Sequence, residues 1–280
     1  MTKILVLGGG PAGYVAALRA AQLGADVTVV EAREIGGTCL NRGCIPTKAM
    51  VAGAERLHHA RGAGEFGVQV GEIVLDFGAF MARKERATAQ LRGGVEQLLK
   101  ARKVEVVAGR ATLVGPGRLA LDDGGTLEGD AVILASGSEP VRLPVFDWAD
   151  PRVMTSDELL AIDHVPARLA IVGGGVIGCE FASVFARLGS QVTVVEMLDQ
   201  LLPGEDKRTG RSLQQAFKKA GIDVVLKTAV EAVSAAPDGL TLRLADGRGV
   251  AADVALVSVG RRPVSRGLGY EEAGVTVDQR

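Results

Sequence analysis

The chain has 280 residues, with 32 Lys plus Arg against 33 Asp plus Glu, so its net charge of −1 leaves no electrostatic footprint for nucleic acid. Apolar residues make up 47% and glycine is abundant at 38, yet every helix-sized apolar stretch is broken by charge or glycine, which excludes a membrane-spanning segment. Only three cysteines are present and the N-terminus enters a strand at once, so we expect no signal peptide and a cytoplasmic, reducing setting.

Ile4-Leu5-Val6-Leu7 reads as a buried strand, followed by Gly8-Gly9-Gly10-Pro11-Ala12-Gly13 and an apolar helix that ends near Gly24. Val27-Thr28-Val29-Val30 is the second strand, with Glu31 at its end. In this order the parts form a dinucleotide-binding unit. Gly8 makes the tight turn, Gly10 lets backbone approach a pyrophosphate, and Pro11 and Ala12 open a helix whose N-terminus faces the phosphates. Gly13 allows helix and strand to pack closely, and Glu31 suits a ribose diol.

Gly36-Gly37-Thr38-Cys39-Leu40-Asn41-Arg42-Gly43-Cys44-Ile45-Pro46-Thr47-Lys48 comes next, with two cysteines five positions apart. A disulfide needs its Cα atoms within roughly 7 Å, and five helical steps rise about 7.5 Å. An oxidised pair therefore could not sit in a regular helix, and Gly43 and Pro46 are residues that permit a distorted turn there. The spacing alone leaves open a redox pair, two chance neighbours or a zinc site. His58, His59 and His164 offer no ligand spacing with the cysteines, so no metal site is expected.

Asp76 to Lys103 is charged and periodic and reads as a long surface helix, with a short β-meander after it through Gly124-Gly125. Asp130 to Leu134 reads as a buried strand running into the small-residue turn Ala135-Ser136-Gly137. A stretch rich in Pro and Asp, residues 141–167, then separates this half from a second copy of the first unit. Leu169 to Glu196 repeats the strand, the glycines, the helix and the acid with identical internal spacing: Gly173, Gly174, Gly175, Val176, Ile177, Gly178, then Glu196. A carboxylate at that strand end accepts from a 2′-hydroxyl and repels a 2′-phosphate, so the second site is expected to take NAD over NADP. Cys179, inside the second helix, reads as a small core residue. Asp253 to Pro263 repeats the buried-strand design, with Gly260 at the strand's end.

These segments resemble the class I pyridine nucleotide-disulfide oxidoreductases, and most closely their lipoamide dehydrogenase branch. The cysteine segment, both glycine units, the Ala135-Ser136-Gly137 turn and the Val259-Gly260-Arg261 strand end carry the resemblance, over essentially the whole chain and in the family's order. It implies an α/β fold of two Rossmann-like FAD/NAD(P)-binding domains, the first incomplete, with a small β-meander. The corresponding division is residues 1–145 for an FAD domain with a redox disulfide, 146–275 for an NAD domain, and 276–280 for the start of a C-terminal interface region. It further implies that Cys39 and Cys44 form that disulfide, with Cys39 exchanging with substrate and Cys44 beside the flavin. Lys48 would lie near the flavin and pair with Glu180.

FAD would be held by Gly8, Gly10, Pro11, Ala12, Gly13, Glu31, Gly37, Thr38, Lys48, Gly109, Ala135, Ser136 and Gly137. NAD would be held by Gly173, Gly175, Val176, Ile177, Gly178, Glu196, Val230 and Gly260. The implied activity is FAD-dependent electron transfer from dihydrolipoamide, carried on a lipoyl domain of a 2-oxoacid dehydrogenase complex, or from another small dithiol, to NAD. Two alternatives accompany it: an NADH-dependent flavin reductase or oxidase, and a non-catalytic nucleotide-binding fragment that needs a C-terminal partner. Family members are homodimers through a region beyond these residues, which also carries the catalytic histidine base. His58-His59, in a charged helical stretch, and His164, before Val165-Pro166, are not expected to replace it.

Overall fold

In the computed structural model, which describes residues 1–278, the elements alternate as the two repeats demand. The first stretch runs β1 (Lys3–Leu7), α1 (Pro11–Gln22), β2 (Asp26–Glu31), α2 (Gly37–Arg42), α3 (Cys44–Gly62) and α4 (Phe77–Ala101). It continues through β3 (Glu105–Ala108), β4 (Ala111–Gly115), β5 (Arg118–Leu121), β6 (Thr126–Glu128), β7 (Ala131–Leu134) and β8 (Ser138–Pro140). The second comprises β9 (Val153–Met154), α5 (Ser156–Leu159), β10 (Arg168–Val172), α6 (Val176–Leu188), β11 (Gln191–Val195), α7 (Lys207–Lys219) and β12 (Asp223–Val225). It closes with β13 (Val230–Ala236), β14 (Gly239–Leu244), β15 (Gly249–Ala252), β16 (Val254–Val257) and β17 (Arg261–Pro263).

The chain forms two compact units. One comprises Met1–Pro46, Arg86–Glu139 and the chain from Arg262 onwards; the other comprises Thr47–Glu85 and Pro140–Arg261. These bounds follow packing, not the contiguous division at residue 145. Met50, Ala54 and Leu57 of α3 join the core built by Ile171, Phe181 and Phe185, which draws 47–85 into the second unit. Tyr270 joins Leu5, Leu113 and Leu119, and Leu113 N–H donates to the Leu268 carbonyl at 2.9 Å, which draws the final segment into the first. The expectation for 276–280 lies partly outside the described residues, at positions 279 and 280.

The first unit holds a parallel sheet in the order β3-β2-β1-β7, with the β4-β5-β6 meander beside it. The second holds a parallel sheet in the order β12-β11-β10-β16-β9. β16 is buried at all four positions and β10 at four of five, the continuous apolar run expected of parallel strands covered on both faces. A second meander, β13-β14-β15, also lies in this unit. Its period-2 signal is plain in Leu240, Leu242 and Leu244, which are buried and alternate with exposed Thr241 and Arg243.

Within the second unit, Lys84 of α4 is 4% exposed, donates to the Leu160 carbonyl at the end of α5 and pairs with Glu85 at 2.6 Å. An amine this buried needs such partners. They tie the first half of α4 to the unit's core.

Candidate functional site

Both glycine turns are built alike. Gly8 and Gly173 have φ of +105° and +109°, in the left-handed region that only glycine enters freely. A Cβ on Gly8 would stand 2.2 Å from the Ala135 carbonyl oxygen, and one on Gly173 would stand 2.4 Å from that of Ser258. One helical turn later, a Cβ on Gly13 would lie 1.7 Å from the Gly8 oxygen, and one on Gly178 would lie 2.1 Å from the Gly173 oxygen. Missing side chains thus let α1 and α6 seat their N-termini against β1 and β10. Gly10 and Gly175 start these helices with extended backbone and no side-chain cap, and Pro11 takes the first helical position. The first-turn N–H groups therefore face an open cradle suited to phosphate oxygens.

The acids are fixed by the turns themselves. Glu31 accepts from Gly9 N–H at 2.7 Å and from Arg33 N–H at 2.8 Å. Glu196 accepts from Gly174 N–H at 2.6 Å and from Leu198 N–H at 2.8 Å. Each carboxylate oxygen keeps a lone pair for a ribose hydroxyl. Gly9 and Gly174, the middle glycines, carry no role in the G-x-G-x-x-G pattern itself; their part is to hold the acid.

A cleft of about 240 Å³ in the first unit is lined by Gly8, Glu31, Ala32, Gly109, Arg110, Asp122, Ser136 and Val264, among others. It brings together four positions expected to touch one nucleotide: Gly8, Glu31, Gly109 and Ser136. Its volume and mixed polar lining suit an adenosine moiety. Arg110, Asp122 and Val264 were not foreseen, because they arrive from the meander and from the chain's last segment. Ser136 Oγ donates to the Val264 carbonyl at 2.5 Å, which pins the Ala135-Ser136-Gly137 turn. A wider groove of about 770 Å³ along Arg262–Gly267 and Tyr270–Glu272 contains none of the expected residues.

The cysteine helix begins against the first cradle. Gly37, which opens α2, lies so close to Gly10 that a Cβ on it would stand 2.6 Å from the Gly10 Cα. Asn41 Nδ2 returns to the carbonyls of Ile35 and Gly37 at 3.0 Å each and locks the turn before Thr38 and Cys39. Glu34 and Arg42 pair at 2.6 Å, and that guanidinium holds the Glu34 carboxyl below the usual carboxylate range.

Cys39 and Cys44 lie on successive helices, as the distorted turn requires, with the break at Gly43. A Cβ on Gly43 would be 3.0 Å from the Thr38 oxygen and 3.4 Å from the Cys39 Cα, so the chain folds back tightly there. Cys39 is half-buried, Cys44 is exposed, and Pro46 falls in the first turn of α3 where its missing N–H breaks no helical bond.

Lys48 lies four residues after Cys44, on the same face of α3. Its ammonium donates to Glu180 Oε1 of α6. The lysine is 59% exposed, so the pair adds at most about 1 kcal/mol and its effect is to position the ammonium.

In the second unit, Val176 is exposed, Ile177 half-buried and Gly178 buried at the start of α6. Val230 begins β13, and Gly260, exposed with φ of +127°, follows β16. Cys179 is a core residue: burial, with Glu196 and Glu180 nearby, pushes its thiol up to about 12. His58 and His59 sit in α3, and His164 pairs with Asp163 at 2.6 Å. Among the described residues, no cluster of three or more His, Cys, Asp or Glu is arranged for a metal ion, and no helix is long and apolar enough to cross a membrane.

The chain is 42% identical over 289 residues to the dihydrolipoyl dehydrogenase of Haloferax volcanii, a match covering 100% of this chain and 61% of that protein. It is 43% identical over 290 residues to dihydrolipoyl dehydrogenase 3 of Pseudomonas aeruginosa, covering 99% and 62%. The structure superposes on LpdA of Mycobacterium tuberculosis with a TM-score of 0.91 at 32% identity, covering 100% of this chain and 63% of the other. It superposes on the HOCl-induced flavoprotein disulfide reductase RclA of Escherichia coli with a TM-score of 0.87 at 29% identity, covering 99% and 61%. The chain thus spans about three fifths of the length of these relatives. Residues 2–280 match the family model described as pyridine nucleotide-disulphide oxidoreductase, and with two glycine cradles, two acids and the cysteine turn in place, the chain belongs to that family.

Proposed function

We propose that this chain forms the nucleotide-binding part of an FAD-dependent dithiol:disulfide oxidoreductase that carries electrons from dihydrolipoamide to NAD. The observation that carries the reading is the seating of the cysteine helix against the first glycine cradle, Gly37 on Gly10, which sets the cysteines next to a dinucleotide site. FAD would be held by the Gly8–Gly13 turn, Glu31, Gly37, Thr38, Lys48, Gly109 and the Ala135–Gly137 turn. NAD would be held by Gly173–Gly178, Glu196, Val230 and Gly260. Bound in the first cradle, FAD supplies a two-electron carrier between a dithiol and a nicotinamide.

The protein's own part is exchange at Cys39 and Cys44. In the oxidised pair, one substrate thiolate attacks the Cys39 sulfur, the Cys39–Cys44 bond breaks, and Cys44 leaves as thiolate. The second substrate thiolate attacks the substrate sulfur of the mixed disulfide and releases Cys39. The substrate leaves as a cyclic disulfide, and its two electrons rest on the cysteine pair. Gly43 keeps the two cysteine segments within reach of each other, and the Lys48–Glu180 pair fixes a positive charge on the Cys44 face of α3. Dihydrolipoamide on a lipoyl domain fits this chemistry because its 1,3-dithiol closes to a ring without a second molecule.

The test uses the purified full chain, incubated with FAD, desalted, and mixed anaerobically with NADH. Retained flavin absorbance, and two new thiols per chain detected by a disulfide reagent after NADH, support the reading. Flavin reduction without new thiols would favour a flavin reductase and reject the cysteine relay. A colourless protein would reject FAD binding by this chain.

A further inference from the structure

The two glycine turns differ in how the middle glycine is gripped. In the first, the Gly9 carbonyl accepts from Gly36 N–H at 2.9 Å, and Gly36 is a glycine in the left-handed region with φ of +98°. In the second, the Gly174 carbonyl accepts from Leu202 N–H at 2.8 Å, and Leu202 holds the left-handed φ of +51° without being glycine. A leucine persists there only when its surroundings impose it. The neighbouring Leu201 does so: it is fully buried, and a Cβ on Gly174 would stand 2.8 Å from its Cδ2. The Gly174 carbonyl also has a second donor. Cys179 Sγ lies 3.3 Å from it, and the residue at the same place in the first repeat is Tyr14. Because burial keeps this thiol protonated through the neutral range, it acts as a donor throughout.

The N–H of the same residue, Gly174, is the one that holds Glu196 at 2.6 Å, and Glu196 is 6% exposed whereas Glu31 is half-buried. We propose that Leu202 and Cys179 are positioning residues of the second dinucleotide site, which fix residue Gly174 by its carbonyl and so hold the N–H on its other side that aims the Glu196 carboxylate. They thereby set how strictly the site separates a 2′-hydroxyl from a 2′-phosphate. This rests on the reading of the second unit as an NAD site. A carboxylate free to swing could turn away from a 2′-phosphate; one clamped through Gly174 cannot, so the discrimination is sharper.

Two pairs of substitutions in the full chain separate positioning from packing, because the two roles predict opposite orders. Leu202→Gly keeps the left-handed backbone and loses the side chain, whereas Leu202→Val keeps apolar bulk and resists that backbone. Cys179→Ser keeps a donor, and Cys179→Val keeps bulk without one. Binding of NADH and of NADPH is measured by fluorescence titration, and exchange of the Gly174 amide by NMR.

We expect each Val variant to weaken NADH binding about threefold to tenfold, the worth of one hydrogen bond, and to narrow the NADH-over-NADPH ratio. Gly174 exchange should be about tenfold faster in the same variants, for the same reason. Leu202→Gly and Cys179→Ser should stay within about twofold of the parent, and in a Glu196→Gln background the effect on the ratio should vanish. The reverse order, with Val tolerated and Gly or Ser damaging, would overturn the proposal in favour of simple packing. If the parent chain binds neither nucleotide, the reading of the second unit fails, and the order of Gly174 exchange rates among the four variants still decides whether Leu202 and Cys179 hold that residue.

Discussion

Replacing Gly178 by alanine should disable the second cradle while leaving the first intact. The new Cβ would stand 2.1 Å from the Gly173 carbonyl oxygen, 2.8 Å from Ser258 Oγ and 3.1 Å from Ile171 Cγ2. Non-bonded carbon and oxygen need a little over 3 Å, so α6 must retreat from β10 by about 1 Å. The Gly173 oxygen cannot yield alone, because it accepts from Ser258 Oγ at 3.3 Å and the N–H of the same residue is bonded to the Val195 carbonyl at 2.8 Å. Forcing extra volume into such a contact costs about 1–3 kcal/mol, and a cradle displaced by about 1 Å loses at least one hydrogen bond to a charged phosphate oxygen, about 1.5–3 kcal/mol or about 10- to 100-fold in dinucleotide affinity. The single tryptophan, Trp148, lies in the second unit and reports its unfolding. With a urea slope of about 2 kcal/mol/M, the midpoint should fall by about 0.5–1.5 M. NADH titration of the folded variant gives the affinity. Unchanged NADH affinity in the alanine variant would refute the claim that this close approach shapes the site.

Gly94→Ala, in the interior of α4 where a Cβ meets nothing within 4 Å, should instead stabilise the first unit by about 0.5–1 kcal/mol, read by urea unfolding followed by circular dichroism. Burial pushes the Asp253 carboxyl up, but the Arg168 guanidinium at 2.6 Å and the Arg168 N–H at 2.8 Å outweigh it and hold the group below the usual carboxylate range. Its contribution is therefore fully present above the ordinary Asp value and lost as pH falls through the lowered one; Arg168→Met should flatten the acid limb of the Trp148 unfolding profile below about pH 4. With a thiol reagent, the exposed Cys44 should label in the reduced native chain, while Cys179, pushed to about 12, should label only on unfolding; fast labelling of Cys179 would contradict its burial. Gly43→Ala should slow air oxidation of the Cys39/Cys44 pair at least several-fold, measured by loss of titratable thiols, because its Cβ would press on the Thr38 carbonyl.

The parallel sheets, both glycine turns and the helix break between the cysteines were legible because each follows from local chemistry. A buried run needs covered faces, a left-handed turn needs glycine, and five helical steps outreach a disulfide. The features that stayed hidden depend on contacts between distant segments. Nothing around Met50 announces that α3 packs with Phe181 and Phe185, and nothing near Tyr270 announces its place beside Leu5 and Leu119. Arg110 and Asp122, from the two ends of the β4–β5 hairpin, and Val264, from the last segment, reach the nucleotide cleft the same way. The β13–β15 meander does carry a local signal, the period-2 alternation of Leu240, Leu242 and Leu244, although it spans a single short strand and its partners, built largely of Val and Ala, do not repeat that alternation.

The duplication also shows how one plan is tuned. Both copies place an acid under the middle glycine at almost the same distance, 2.7 Å for Glu31 and 2.6 Å for Glu196. Past the acid they diverge: in the first, Gly36 leads within one residue into the helix that bears Cys39. In the second, Leu202 occupies the matching left-handed place, and the chain runs on to Asp206, whose side chain caps α7 through Arg208 N–H at 2.7 Å. A glycine there lets the cysteine helix close directly against the first cradle; a leucine anchored beside buried Leu201 instead leads into the loop before α7, a helix that carries no cysteine. In the proposed function, the division between thiol chemistry at one cradle and nucleotide exchange at the other would thus be set by the segments just past the two acids, since the glycines themselves are shared.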